Sequence, residues 1–289
     1  MYKSVNDKDW GLRFNHKAMH TRFAVFIRHE DPRYAEQAAA EAFRRLDGIE
    51  QDFSLFIDNS DISRINRAQP DQAIQVGLDT FDCLTRAIHL SRITGGAFDI
   101  TAMNGRPSIP AYRSIVLDAS GYTALKRTGG IRIDLGGIGK GFAVDAMAVL
   151  LADWDIESAL VHGGASTALA VGPPEGHGWK ITVSSPEAGG SRRIIRTFHL
   201  RRRALSGSGI EKGPHIIDPG SGLPATGKCA AWALAPDATS ADGLSTAFMV
   251  MTPEEIGSFC SGHSDVGALT LNREGKMVEA GAWPKSGFS

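Results

Sequence analysis

The sequence predicts an α+β fold whose helices and strands share one core, and three observations carry the prediction. Apolar residues recur at three- and four-residue steps through the first half. After residue 155 short branched and aromatic runs are bounded by Gly, Pro and Asp turns, and a single late helical stretch interrupts them. No fixed-period repeat or low-complexity linker divides the chain, so the expectation is one domain over 16–289 with an amino-terminal extension over 1–15.

Taken in order, residues 21–28 (TRFAVFIR) read as a strand, rich in the side chains that suit a pleated surface. Residues 33–53 place Ala35, Ala39, Ala42, Phe43, Leu46, Ile49 and Phe53 on one helical face, with Asp31 as cap and Pro32 in the first turn. A second helix over 78–93 turns Phe81, Leu84, Ala87 and Ile88 inward and stops at Gly95 and Gly96. A third begins near Lys140. Strands are expected over 159–161, 179–184, 194–200, 230–235 and 267–271, and a helix over 241–251 with Ser240 as candidate cap.

Composition narrows the function. The 289 residues are 42% hydrophobic and 22% charged, which is ordinary for a globular chain, and at ~100–200 residues per domain they can build a sizeable core without disulfide or metal staples. Thirty-one cations against 32 anions leave a formal charge of -1, so no global field favours nucleic acid or an anionic membrane. Six arginines between 192 and 203 read as the solvent face of a hairpin. Cys83, Cys229 and Cys260 lack a C-x-x-C pair and are expected as free thiols. No stretch reaches the ~18 apolar residues of a membrane span, and residues 1–14 have no apolar export region. The chain as written is expected in the cytoplasm, or in the periplasm if a leader has been removed.

Four stretches could carry chemistry. IDLGGIGKGFAVD, residues 133–145, reads as a strand ending at Asp134, a turn through Gly136, Gly137, Gly139 and Gly141, and a helix. Amides exposed at a helix start favour phosphate oxygens. It fits neither the Walker A pattern nor G-x-G-x-x-G, and a tight turn needing positive φ is the plainer alternative. TGGAFDIT, residues 94–101, ends a helix and could bring backbone and Asp99 close to a planar ligand. In SGSGIEKGPHIIDPGSGLPA, residues 206–225, His215 is either structural or a proton-transfer group. In TSADGLSTAF, residues 239–248, the oxygens of Asp242, Ser245 and Thr246 share one helical face, a donor set that suits Mg²⁺, or else Asp242 merely complements the helix dipole.

In this order the stretches resemble the FAD:protein FMN transferase family, also called ApbE, over about residues 18 to 280. AMHT at 18–21 resembles the family's A-M-G-T, with His20 in place of Gly, and FSLFIDNSDISRIN, ending at Asn66, resembles its Ser-Arg-Asn loop. TGGAFD, IDLGGIGKG…VD, a strand ending in GG, the SG…HIIDP block and AD-x-x-(S/T)-T follow, with Ala165 where the family has Asp or Asn. The resemblance implies an α+β fold of the T-fold type, with mixed sheets, helices and two lobes around a central flavin cleft. It implies FAD as substrate and Mg²⁺ as cofactor. Met19 and Phe56 would pack on the flavin; Ala97, Phe98 and Asp99 would hold its isoalloxazine or adenine end; Asp134, Lys140 and Ile216 would line the rest. The Gly137 carbonyl, Asp242, Ser245 and Thr246 would hold the metal, and His215 would accept the proton. The expected reaction is transfer of FMN to a Thr or Ser hydroxyl of an acceptor flavoprotein with release of AMP. The alternatives are a Mg²⁺-dependent FAD pyrophosphatase and a flavin-binding protein without turnover.

Overall fold

β1 (Val5–Asp7), β2 (Gly11–Ala18) and β3 (Thr21–Ile27) form an antiparallel meander. The computed structural model describes residues 5–7, 10–102, 111–172, 178–186, 192–211 and 213–283. Met19 and His20 alone connect β2 to β3, with φ of 48° and 57°, as a two-residue hairpin loop matched to right-handed strand twist requires. Residues 11–15, expected within a loose extension, are instead ladder residues of β2; residues 1–4, 8 and 9 of that extension, and 284–289 of the expected domain, lie outside the described residues.

α1 (Pro32–Phe53) follows, its Asp31 cap accepting from Arg33 N and Tyr34 N, and its Ala, Phe, Leu and Ile stripe buried. α2 (Asp61–Arg67) is capped by Ser60. β4 (Ile74–Gln75) precedes α3 (Leu78–Ile93), which ends as the sequence predicts, with Gly95 and Gly96 at positive φ. β5 (Ile115–Asp118) and β6 (Thr123–Lys126) join β4 in a small sheet of order β4-β6-β5. α4 (Gly139–Asp153) leads to β7 (Ala159–Gly163) and β8 (Thr167–Val171). β9 (Trp179–Pro186) and β10 (Arg192–Leu200) make a separate hairpin, and β11 (Ala204–Gly209) returns to the main sheet. β12 (Ile217–Asp218) and β13 (Leu223–Pro224) form a short hairpin before β14 (Lys228–Ala235). The chain closes with α5 (Ala238–Val250), α6 (Pro253–Gly262), β15 (Gly267–Asn272) and β16 (Met277–Gly281).

The central sheet has nine strands in the order β1-β2-β3-β7-β8-β11-β14-β15-β16. The α+β class is as predicted, but the sheets are not of mixed direction: every described ladder is antiparallel. Both faces of the central sheet are covered. Along β14, Ala231, Ala233 and Ala235 join the core beneath the helices, while Ala230, Trp232 and Leu234 join a second core beneath the β9–β10 hairpin with Trp179, Ile181 and Phe198. This period-two division explains why the strand reads as a continuous apolar run. On the helical side α4 packs against α1 and α5, and α5 lies on β11 and β14. Among the described residues no helix is long and apolar enough to cross a membrane. Cys83, Cys229 and Cys260 are free thiols.

Several strands run one or two residues beyond the bounds read from the sequence, and two differences bear on the site. No strand ends at Asp134; residues 131–135 belong to no ladder. α5 begins three residues before the predicted start, capped by Asp237 rather than Ser240, whose amide is itself the donor to Asp237 Oδ1 at 2.8 Å.

Candidate active site

The segment before the glycine turn is held by side chains instead of a neighbouring strand. Asn66, at the end of α2, donates from Nδ2 to Ile133 O at 2.9 Å, and its Oδ1 accepts from Ile133 N at 2.7 Å. Buried Lys126 donates to Asn66 O and Ile131 O at 2.8 and 3.0 Å. The turn then starts with Gly136 N donating to Asp134 Oδ1 at 2.7 Å, and α4 follows.

None of Gly136, Gly137, Gly139 or Gly141 has a positive φ, so the turn needs these glycines for room and not for backbone handedness. A Cβ on Gly141 would stand 2.1 Å from Ala238 O and 2.8 Å from Asp242 Cβ. A Cβ on Gly137 would meet Phe98 Cε2 at 3.3 Å and Thr246 Oγ1 at 3.4 Å. The missing side chains let the start of α4 lie directly on the first turns of α5.

Asp242 is where the two meet. Only 2% of it is exposed. Its Oδ2 accepts from Gly141 N at 3.0 Å and from Lys140 Nζ at 3.3 Å; its Oδ1 accepts from Ser206 Oγ at 2.9 Å and Thr167 Oγ1 at 3.2 Å. A buried carboxylate survives only with such partners. Ser245 donates to Asp242 O at 2.9 Å and lies 2.8 Å from Ser208 Oγ; Thr246 donates to the same carbonyl at 3.3 Å. Ser245 is fully buried, whereas partly buried Thr246 faces the glycine turn.

Asp145 fixes the helix start from the side of α4. Its carboxylate accepts from Ala238 N at 2.7 Å, Thr239 N at 2.8 Å and the Thr239 hydroxyl, taking over orphan donors of α5. Burial pushes its pKa up to about 6, against those hydrogen bonds and with help from Asp237. A pKa raised on folding adds stability that is present below the unfolded value and is lost as pH rises through the folded one. From pH 4 to pH 6 the stability gap between wild type and Asp145→Asn should therefore shift against wild type by roughly 2 kcal/mol, read from urea unfolding at each pH. A gap independent of pH would contradict the assignment.

The structure thus gathers Gly137, Lys140, Asp242, Ser245 and Thr246 at one place, with Phe98 packed between Gly137 and Gly243. No described bond joins the other predicted residues to that cluster. Asp134 is partly buried at the turn. Ala97 and Asp99 border a cavity of about 810 Å³ that also meets residues 218–220 and α6. Burial raises the pKa of Asp99, which accepts from Thr101 N and Oγ1 at 2.8 and 2.6 Å. Met19 N donates to Glu50 Oε1 at 2.6 Å, and Phe56, 79% exposed, meets the ring edge of His20 with centroids 5.3 Å apart. Ile216 is buried in the core, whereas neighbouring His215 is exposed and donates from Nδ1 to Gly213 O at 2.9 Å, which leaves its Nε2 free to accept a proton.

Thr167, Ser206, Ser208 and Asp145 were not among the predicted site residues. The i, i+2 spacing of Ser206 and Ser208 on a strand was the available signal, because it puts both hydroxyls on one face. As for a metal, one carboxylate, two hydroxyls and a nearby backbone carbonyl are hard oxygen donors, the set a small divalent cation accepts. Among the described residues no group of three or more His, Cys, Asp or Glu is placed to hold a metal ion, so a cation here would rest on the single carboxylate with hydroxyl and carbonyl oxygens.

A carboxylate buried where a glycine-lined helix start meets a second helix defines a class of protein that can hold an anion beside a hard cation. The chain belongs to the ApbE family, whose model matches residues 19–270. It is 26% identical over 253 residues to the FAD:protein FMN transferase of Haemophilus influenzae, covering 75% of this chain and 73% of that one. The FAD:protein FMN transferase of Vibrio cholerae is 26% identical over 247 residues, 74% of this chain and 73% of that one. Among solved structures, the ApbE protein of Thermotoga maritima superposes with a TM-score of 0.80 at 23% identity over 97% of both chains. The flavin transferase ApbE of Vibrio cholerae does so with a TM-score of 0.80 at 22% identity over 98% of both. Those two likenesses establish the fold.

Proposed function

We propose that this chain transfers FMN from FAD to a Thr or Ser hydroxyl of an acceptor flavoprotein. The observation that carries the reading is the convergence of the glycine turn and the start of α5 on Asp242, reinforced by relatives named as FAD:protein FMN transferases. In the reaction the acceptor's hydroxyl oxygen bonds to the FMN-side phosphorus while the bond from that phosphorus to the bridging oxygen breaks. AMP leaves with the bridging oxygen, and FMN remains in phosphoester linkage.

The chain's own residues have defined tasks. His215 Nε2 takes the hydroxyl proton, a contribution of typically ~10²–10⁴-fold. Lys140 meets the diphosphate as a point charge. Met19 and Phe56 pack on the flavin, Ala97, Phe98 and Asp99 hold one end of FAD, and Asp134 and Ile216 line the remainder. The Gly137 carbonyl, Asp242, Ser245 and Thr246 are the residues to hold Mg²⁺, which supplies charge neutralisation when bound.

The test is incubation of purified protein with FAD, Mg²⁺ and a candidate acceptor. The acceptor's intact mass should rise by one FMN less water, with equimolar AMP, and His215→Ala should slow this by about 10²–10⁴-fold. AMP released equally fast without acceptor would mean hydrolysis instead, and FAD that stays bound and intact would mean a flavin carrier.

A further inference from the structure

Asp242 presents a conflict that the proposed function must resolve. A carboxylate offers about four lone-pair directions, and all of Asp242's are taken, by Gly141 N, Lys140 Nζ, Ser206 Oγ and Thr167 Oγ1. A cation that binds there has to displace a donor. Gly141 N is locked in the first turn of α4 against Ala238, and Ser206 and Thr167 are buried on β11 and β8. Lys140 differs from these three. Its side chain is 25% exposed, it makes the longest of the four contacts at 3.3 Å, and its flexible four-carbon stem can leave without moving the backbone.

Lys140 also bridges two oxygens. Besides Asp242 Oδ2, its ammonium reaches Gly136 O at 3.3 Å, so a single positive charge spans the glycine turn and the helix start. We infer that Lys140 is a tethered stand-in for the divalent cation: metal binding at Asp242 expels its ammonium, which then becomes available to the diphosphate of FAD. The inference rests on the metal site of the proposed function and adds to it an exchange of one cation for another. Because coupling of this kind is reciprocal, a diphosphate that captures Lys140 also clears the carboxylate for metal.

Two measurements on flavin-free protein test the exchange. In calorimetric titration with Mn²⁺, Lys140→Met should bind the metal about fivefold more tightly than wild type, the worth of one partly exposed ion pair. Amine acylation of wild type followed by peptide mass spectrometry should show Lys140 labelled several-fold faster with Mg²⁺ than without, and this arm needs no substitution to fold. Tighter Mn²⁺ binding together with metal-dependent labelling is the expected result. Unchanged labelling, or equal Mn²⁺ affinity in the two proteins, overturns the exchange and leaves the metal site standing. Absence of Mn²⁺ binding in both proteins overturns the metal site and the exchange together.

Discussion

Asp242→Asn is expected to give a folded protein that retains FAD and has lost FMN transfer by about 10²–10³-fold or more, the usual scale for removing one group that stabilises developing charge. The substitution keeps the shape of the side chain. Its amide nitrogen can face Ser206 and Thr167, whose hydroxyls rotate to accept, while its oxygen still accepts from Gly141 N and Lys140. The stability loss should therefore stay near 1–2 kcal/mol, the price of one weakened hydrogen-bond set. Asp242→Ala is the harsher change, because it removes the acceptor shared by Gly141 N and the buried Ser206 and Thr167 hydroxyls, and about 3 kcal/mol should go. Turnover of Asp242→Asn at the wild-type rate would remove the carboxylate from the chemistry.

Gly141→Ala should disturb the fold at the site directly. Its Cβ has nowhere to go: 2.1 Å from a backbone carbonyl and 2.8 Å from Asp242 Cβ, it must push α4 away from α5. Overpacking of this kind costs about 3 kcal/mol, which lowers Tm by roughly 5 °C in a chain this long. The displaced amide also stops donating to Asp242, so FMN transfer should fall with stability. Gly48→Ala is the matched control. It lies within α1 with nothing near its Cβ direction, and should stabilise by up to about 1 kcal/mol. Equal melting temperatures for Gly141→Ala and wild type would contradict the close approach.

What could be read from the sequence follows from how local each feature is. α1 and α3 were legible to within a residue, because an apolar stripe and flanking Asp, Pro or Gly mark them without outside help. α5 was misplaced at its start. It is buried on nearly every side, polar Thr239, Asp242 and Ser245 included, so no apolar period shows where it begins, and Asp237 and Ser240 compete as caps. α6 was overlooked although Thr252 and Glu255 form a capping box around Pro253, a signal present in the sequence. The segment before Asp134 reads as a strand from its branched apolar residues, but Ile133 finds its partner in the Asn66 side chain, 67 residues away.

The site divides in the same way. The glycines of residues 136–141 stood out, yet the reason for them lies across the fold at Ala238 and Phe98. The hydroxyls of Thr167 and Ser206 reach Asp242 from strands 75 and 36 residues away, and only tertiary packing brings them there.

The most direct test of the account is anomalous diffraction from crystals grown with Mn²⁺ and FAD. A single strong peak in coordination range of Asp242 Oδ2 and the Gly137 carbonyl, with the diphosphate alongside, is the predicted result; a diphosphate and metal bound elsewhere, leaving Asp242 with its four protein donors, would contradict it.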